Sequence, residues 1–181
     1  MSIETETKFK IDSPVTMKKR LKSIGAKFLS KNIEKDIYYR PQSYHEAGLA
    51  IRFRTIGDKG TFTVKSSLRK RLRKSAAFKI RKELEVKVAD AKNFEKMLQI
   101  LGFKPVFRKE KSRETYSWKN TKITIDKLPF IGNYSEIEGP RGKIIEAANL
   151  LGLDMKKAIS DTYMKLLDDY RKGPAHAEIP L

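Results

Sequence analysis

The chain has 181 residues, of which 39% are hydrophobic and none is cysteine, and its 40 Lys and Arg against 22 Asp and Glu give a formal net charge of +18. The length and apolar content predict one globular domain over residues 1–172 and exclude a disordered basic tail, while the charge favours polyanionic partners, either phosphate-rich small molecules or nucleic acid. The lack of cysteine excludes disulfides, zinc–thiolate sites and a thiol nucleophile.

The N-terminus predicts a protein without a targeting segment. Met1 leads directly into the first predicted strand, which leaves no room for a signal peptide. No apolar run approaches the length needed to span a membrane. We therefore expect a soluble cytoplasmic protein with no membrane partner.

The first predicted strand, over residues 3–11, has one charged face. Its period of two places Glu4, Glu6 and Lys8 on one side and threonine and apolar side chains on the other. Taken alone, this pattern is typical of an ordinary strand with one solvated face. It becomes informative because later strands repeat it with complementary charges.

Four further strands and two helices are predicted in the first hundred residues. The strands cover residues 26–40, 49–54, 61–65 and 78–88, and the helices cover residues 14–24 and 90–101. Arg52 and Arg54 share one face of their strand, Lys65 lies opposite the apolar side chains of the next, and Glu83 and Glu85 share a face of the fourth.

The rest of the chain adds three strands and a helical region. The strands cover residues 103–118, 121–128 and 134–139, and the helices cover residues 144–151 and 160–170. Lys111 and Arg113 alternate along the first of these strands, and Glu136 and Glu138 along the last. Residues 173–181 contain two prolines and no periodicity, which predicts a flexible tail.

This order of elements predicts an α+β fold built on a closed eight-stranded antiparallel barrel. Short turns between consecutive strands favour antiparallel pairing, and eight strands are enough to close a barrel. The alternative is an open sheet whose charged faces are simply solvated. Two observations favour a charged interior: the apolar stripes of the helices need an apolar sheet face to cover, and the charges cluster by sign instead of being interspersed.

A charged interior indicates the kind of ligand it would hold. Same-sign charges that are desolvated together are unfavourable without a counterion. A polyphosphate with divalent cations would satisfy both signs, because phosphate oxygens bind Arg and Lys and hard cations bind carboxylates. Carboxylate-rich sites without cysteine suit Mg²⁺ or Mn²⁺ better than Zn²⁺.

Seven motifs, in this order along the chain, resemble those of the CYTH family, also called the triphosphate tunnel metalloenzymes. They are Glu4-x-Glu6-x-Lys8, Ile51-Arg52-Phe53-Arg54, Thr63-Val64-Lys65, Glu83-Leu84-Glu85, Lys111-Ser112-Arg113, Ile125-Asp126 and Glu136-Ile137-Glu138-Gly139. The segment over residues 160–167 is similar to the family's C-terminal helix motif. The resemblance extends to about residue 170 and implies an eight-stranded barrel that forms a tunnel.

The resemblance also implies roles for individual residues. Basic residues would grip the triphosphate: Lys8, Arg52, Arg54, Lys65, Lys111, Arg113 and Lys165. Carboxylates would hold two Mg²⁺ or Mn²⁺ ions: Glu4, Glu6, Glu83, Glu85, Asp126, Glu136 and Glu138. We expect one ion on Glu4, Glu6 and Glu138.

The second ion is expected near Glu85, Asp126 and Glu136, where it would orient a water molecule onto the terminal phosphorus. Lys111 would steady or protonate the departing oxygen. Catalysis would therefore depend on Lys111, Glu85 and Asp126.

Two enzymatic functions are compatible with these residues. The first is a triphosphatase acting on inorganic tripolyphosphate or nucleoside triphosphates. The second is an adenylyl cyclase of class IV, which would grip the same triphosphate but attack its α-phosphorus with the ribose 3′-hydroxyl. No motif identifies a purine pocket, and His45 and His176 are poor candidates for one, so the sequence favours hydrolysis.

A nucleic-acid-binding protein is the alternative from another class. The basic window over residues 68–74 would suit a phosphate backbone, but the paired carboxylates would repel it. A solvated loop, or a lid that attracts polyphosphate, is the simpler interpretation of this window. A homodimer through the C-terminal helices is compatible with the sequence but not required by it.

Overall fold

Eight antiparallel strands close into a barrel in the computed structural model, which describes residues 2–40, 49–67 and 77–173. The strands are β1 (Ser2–Lys10), β2 (Lys27–Arg40), β3 (Leu49–Ile56), β4 (Lys59–Ser67), β5 (Lys79–Val88), β6 (Lys104–Trp118), β7 (Thr121–Leu128) and β8 (Gly132–Glu138). The helices are α1 (Pro14–Ser23), α2 (Ala91–Ile100), α3 (Arg141–Leu150) and α4 (Tyr163–Arg171), and a 3₁₀ turn covers Met155–Lys157. The loop carrying His45, the basic window over residues 68–74 and the tail beyond Gly173 with His176 lie outside the described residues.

The strand order around the barrel is β1-β5-β4-β3-β2-β6-β7-β8. The barrel closes because β1 pairs on one side with β5 and on the other with β8, both antiparallel. The longest pairing joins β2 to β6. The predicted fold class is therefore confirmed, and the predicted strand ends differ from the observed ones by two residues or fewer.

Helix ends follow local capping signals. The Ser13 hydroxyl accepts a hydrogen bond from Thr16 N at 3.2 Å and starts α1, and the Asp90 carboxylate caps α2 in the same way. The sequence predicted that the last helix starts at Ser160, but it starts at Tyr163. The Thr162 hydroxyl caps this helix by accepting a hydrogen bond from Lys165 N at 3.1 Å.

Two clusters of buried apolar side chains lie on the outside of the barrel, where helices cover them. One cluster joins α1 and α3 to the outer face of β6–β8 and includes the fully buried Ile123 and Ile137. A second cluster joins α2 to β2 and β3 around the fully buried Phe53. The inversion predicted from the sequence, with polar side chains inside and apolar ones outside, is therefore what the barrel has.

Helix α4 closes one end of the barrel from within. Tyr163 and Leu167 pack against Phe107, Leu128 and Tyr134, all of them buried. The three strand residues each lie two positions from a tunnel residue on the same strand, so their side chains also point inward. The interior is therefore apolar at the end that α4 fills and polar elsewhere. Within the described residues, no helix is long and apolar enough to cross a membrane.

Candidate active site

A cavity of about 690 Å³ runs through the interior and is lined by residues from all eight strands and the start of α4. Its described lining contains ten basic side chains, Lys8, Arg52, Arg54, Lys65, Lys79, Arg81, Lys109, Lys111, Arg113 and Lys122, and seven acidic ones, Glu4, Glu6, Glu34, Glu83, Glu85, Glu136 and Glu138. The formal excess of three positive charges matches a polyanionic ligand.

Strand register brings opposite charges together across the barrel wall. Lys8 lies opposite Glu136 in the β1–β8 pair, and the Lys8 Nζ is 3.0 Å from Glu136 Oε1. Lys65 lies opposite Glu83 in the β4–β5 pair. These pairings follow from the strand period of two, because every second residue of each strand faces the interior.

The carboxylates of β1 are held by two lysines. Lys65 Nζ lies 2.7 Å from Glu4 Oε2 and 3.2 Å from Glu83 Oε2, and Lys79 Nζ lies 2.8 Å from Glu6 Oε1. Burial and the neighbouring Glu6 carboxylate raise the pKa of Glu4, although Lys65 opposes the shift. These acids therefore form a compact negative group that is balanced by lysine ammonium groups.

Asp126 is the fully buried centre of a second ionic cluster. It accepts hydrogen bonds from Lys111 Nζ at 3.0 Å, Arg113 Nε at 2.6 Å and Tyr163 Oη at 2.9 Å. Arg113 also donates to Glu136. Burial alone would raise the pKa of Asp126, but Arg113 and Lys111 lower it below its ordinary value.

The pKa of Lys111 is strongly lowered as well. Burial lowers its pKa most, the Arg113 guanidinium adds to the shift, and the pKa falls to about 7 although Asp126 opposes the change. Its ammonium group also lies 3.3 Å from Glu34 Oε2.

A third cluster joins β2, β3 and β6 around Asp36. Arg54 binds the Asp36 carboxylate through two nitrogens, Nε at 2.6 Å and Nη2 at 2.9 Å, and Lys109 Nζ lies 2.9 Å from the same group. Arg54 Nη1 is also 2.8 Å from Glu34 Oε2. Asp36 and Glu34 thus fix the orientation of Arg54, which is one of the predicted triphosphate-binding residues.

Because of the Asp36 cluster, we expect the free energy of unfolding to fall in acid. Burial would raise the pKa of Asp36, but Lys109 and Arg54 lower it far below its ordinary value. A lowered pKa contributes stability above the unfolded-state value of about 3.9 and loses it as the pH falls. Free energies of unfolding measured by urea between pH 3 and pH 8 should show Asp36→Asn less stable than wild type above about pH 5.

Below about pH 4 the difference between the two proteins should shrink by about 1.4 kcal/mol per pH unit. The matched control is Asp58→Asn, in the exposed turn between β3 and β4, which should stay within about 0.5 kcal/mol of wild type. A constant difference for Asp36→Asn would contradict the assigned ion pair.

Arg52, unlike most basic groups of the lining, has no carboxylate within ion-pair distance among the described residues. Its Nη2 donates to Thr63 Oγ1 at 3.1 Å, and that hydroxyl donates to Glu85 at 3.3 Å. The Arg52 Nε is buried with no hydrogen-bond partner in the described part of the chain. An unpaired buried donor is costly, by about 1–3 kcal/mol, so this group is ready to bind an anion.

Most of the residues predicted from the sequence lie together in the cavity. The lining includes Glu4, Glu6, Lys8, Arg52, Arg54, Lys65, Glu83, Glu85, Lys111, Arg113, Glu136 and Glu138. Asp126 lies behind this lining and is saturated by its three partners. Lys165 lies outside the cavity on the exposed side of α4, where its Nζ pairs with Asp169 at 2.7 Å.

Six charged residues of the site and Tyr163 were not predicted; the charged ones are Glu34, Asp36, Lys79, Arg81, Lys109 and Lys122. The alternation of Glu34, Asp36 and Tyr38 along β2 carried the same signal as the other strands. Lys79 likewise shares the parity of Glu83 on β5. Tyr163 had no such signal, because its position depends on where α4 docks.

The carboxylates do not form a preassembled metal site. Within residues 2–40, 49–67 and 77–173, no three acidic or histidine side chains converge closely enough to hold a metal ion. The chemistry of the donors nevertheless fits Mg²⁺ or Mn²⁺, because the acidic side chains of the described lining offer only oxygen ligands. The raised pKa of Glu4 beside Glu6 also indicates a place where added positive charge would be favourable.

The sequence is similar to one protein family and to a protein of known sequence within it. A family model described as the CYTH domain matches residues 2–163. A Methanocaldococcus jannaschii protein named as a candidate adenylate cyclase is 30% identical over 151 residues, which cover 82% of this chain and 83% of that protein.

Solved structures show the same fold. A Pyrococcus horikoshii protein is 25% identical with a TM-score of 0.76, over 90% of this chain and 98% of that one. A Hippeastrum protein, described as a candidate adenylyl cyclase with a dominant triphosphatase activity, has a TM-score of 0.67 at 14% identity, over 96% of this chain and 98% of that one.

Proposed function

The chain belongs to the CYTH family, and from this premise we propose that it is a divalent-metal-dependent triphosphatase that hydrolyses inorganic tripolyphosphate or nucleoside triphosphates inside the barrel. One observation carries the proposal: an enclosed cavity of about 690 Å³ in which ten basic and seven acidic side chains face each other. A triphosphate with divalent cations supplies both of the charges that such a lining requires.

Binding would begin at Arg52, whose buried Nε has no partner among the described residues. Lys8, Arg54, Lys65 and Arg113 would then transfer hydrogen bonds from carboxylates to phosphate oxygens. Each of these groups contacts at least one carboxylate in the ligand-free tunnel. Binding of the anion therefore releases carboxylates, and binding of cations releases basic groups, so each should increase the affinity of the other.

Glu4 and Glu6 are the residues that would hold a divalent ion, with Glu83 and Glu138 beside them. Glu83 shares Lys65 with Glu4, and Glu138 lies directly opposite Glu6 in the β1–β8 pair. Bound ions of this kind neutralise developing charge on phosphate oxygens and orient the attacking and departing groups. Lys65 and Lys79 would be displaced from the carboxylates toward the triphosphate.

The proposed chemistry needs positioned charge more than covalent catalysis, since phosphoryl transfer passes through a loose transition state. Lys111 would donate a hydrogen bond to the departing phosphate oxygen. Asp126 would hold the Lys111 and Arg113 side chains in place, through contacts of 3.0 Å to Lys111 and 2.6 Å to Arg113. Glu85, on the exposed rim of β5, would accept a proton from the attacking water.

Hydrolysis is favoured over cyclisation because the described lining lacks a site for a purine. It contains no Asn, Gln or His side chain, and its two aromatic residues, Tyr38 and Tyr163, are engaged with other residues. The triphosphatase activity of the Hippeastrum relative supports the same choice. The M. jannaschii relative makes an adenylyl cyclase the second candidate.

Product analysis distinguishes the two reactions. The purified chain with Mg²⁺ or Mn²⁺ should convert tripolyphosphate to phosphate and pyrophosphate, or ATP to ADP and phosphate, as measured by anion exchange and ³¹P NMR. The reaction should stop when EDTA is added. Cyclic AMP with pyrophosphate as the products would replace the hydrolase by the cyclase, and no turnover of either substrate would refute both.

A further inference from the structure

Three lysine ammonium groups from two strands surround one aromatic ring at the deep end of the tunnel. The Nζ atoms of Lys8, Lys109 and Lys111 lie over the Tyr163 ring at 4.3, 5.1 and 5.2 Å from its centroid. All three distances fall within the range of about 6 Å over which an ammonium group is attracted by the π face of an aromatic ring. Tyr163 is 5% exposed, so this attraction acts with little screening by solvent.

The ring differs in kind from the other partners of these lysines. Each ammonium group also contacts a carboxylate: Lys8 binds Glu136 at 3.0 Å, Lys109 binds Asp36 at 2.9 Å and Lys111 binds Asp126 at 3.0 Å. A carboxylate competes with phosphate, because it neutralises the lysine and accepts its hydrogen bonds. An aromatic ring holds the ammonium group without cancelling its charge.

The ring is held in place by the segment that precedes α4. Ile159 N donates to Lys8 O at 2.8 Å, and Lys8 Nζ donates to Asp161 O at 3.0 Å, so the strand that carries Lys8 also anchors this segment. The Tyr163 hydroxyl donates to Asp126 at 2.9 Å. Burial raises the pKa of Tyr163 well above its ordinary value, and Glu136 and Asp126 add to the shift, so the side chain stays neutral.

We propose that Tyr163 is a positioning residue for triphosphate binding, in which the π face of its ring gathers Lys8, Lys109 and Lys111 and presents them to the phosphate chain. This proposal rests on the proposed function for its ligand. It assigns the ring, and not the hydroxyl, as the part of Tyr163 that affects affinity.

The test is a series of side chains at position 163 with the same shape and a progressively weaker π face. Tyr163→Phe is compared with phenylalanines carrying one, two or three ring fluorines, and with Tyr163→Leu. The dissociation constant for tripolyphosphate is measured by calorimetry in EDTA, so that no turnover is needed. Phe should bind within about twofold of wild type, and the fluorinated rings should bind progressively more weakly, to about tenfold for three fluorines.

A role in packing alone would not produce this order, because fluorination preserves the shape of the ring. The matched control is the same series at Tyr116, which lies on the outside of the barrel with a similar burial of 8% exposed, and it should leave the affinity unchanged. Equal affinities along the Tyr163 series would overturn the proposal, as would a loss in Phe as large as that in Leu, which would assign the effect to the hydroxyl.

The outcome is separable from that of the proposed function. A wild-type chain that binds tripolyphosphate but hydrolyses neither tripolyphosphate nor ATP would refute the triphosphatase and still allow the series to be measured. A wild-type chain that hydrolyses tripolyphosphate while the series is flat would refute only the role of Tyr163. A wild-type chain that neither binds tripolyphosphate nor hydrolyses ATP would overturn both.

Discussion

Replacing Glu4 and Glu6 together by glutamine should lower metal-dependent hydrolysis by about a thousandfold, which corresponds to ~4 kcal/mol of transition-state stabilisation. The same variant should bind tripolyphosphate more tightly than wild type when no metal is present. The reason is that Lys65 and Lys79 pair with these two carboxylates at 2.7 and 2.8 Å in the ligand-free tunnel. Once the carboxylates are neutral, both lysines are free to bind phosphate.

The two measurements are the initial rate of phosphate release with Mg²⁺ or Mn²⁺, and the affinity for tripolyphosphate in EDTA. Glu114→Gln is the matched control, because Glu114 is also a largely buried, ion-paired acid, held by Lys18 at 2.7 Å, but does not line the cavity. It should change neither quantity. Full metal-dependent turnover in the double variant would show that these carboxylates do not hold the ion.

Replacing Asp126 by asparagine should lower the free energy of unfolding by about 3–5 kcal/mol, the usual cost of removing one partner from a buried ion pair. Asp126 is fully buried, and the change leaves Lys111 and Arg113 without the carboxylate that balances them. The variant should also lose most of its activity, since both basic groups lose the contact that orients them. Urea unfolding followed by circular dichroism measures the first effect, and initial rates measure the second.

Asp90→Asn serves as the control for this second prediction. Asp90 caps α2 at an exposed position, and asparagine caps a helix about as well, so the change should stay within about 0.5 kcal/mol. Adding Lys111→Met to Asp126→Asn should restore part of the lost stability, because it removes a buried cation that keeps only the Glu34 carboxylate at 3.3 Å. A cost below about 1 kcal/mol for Asp126→Asn alone would show that the cluster contributes little to the fold.

The period of two was sufficient to predict the inner faces of most strands. Glu4, Glu6 and Lys8 on β1 lie inside because alternate side chains of a strand must face opposite ways, and the helices need the other face for their apolar stripes. The same rule would have found Glu34 and Asp36 on β2. The inward charges of β2 are hard to recognise from the sequence, because aromatic and lysine residues along that strand obscure the alternation.

Partners across strands could not be predicted in the same way. Asp36 meets Arg54 because β2 and β3 pair in one register out of several, and register is decided by the packing of the whole barrel. The binding of Asp126 by Tyr163 depends likewise on how α4 docks. Helical periodicity does explain Lys165: it lies two positions from Tyr163, which turns it about 200° away from the buried face of α4.

Helix α4 fills one end of the barrel, which leaves the other end as the way for a ligand to reach the cavity. Along β7 and β8 the exposed fraction of the inward side chains rises away from α4, from Asp126 at 0% and Glu136 at 12% to Glu138 at 32% and Lys122 at 49%. If the chain hydrolyses triphosphates as proposed, a linear phosphate chain would enter and leave through the open end of the barrel. Tyr163 would then stop the leading phosphate at a fixed depth, while the rest of a longer chain would extend into solvent. Such a site would bind phosphate chains by their ends, and the products of one cycle would have to leave before the next substrate could enter.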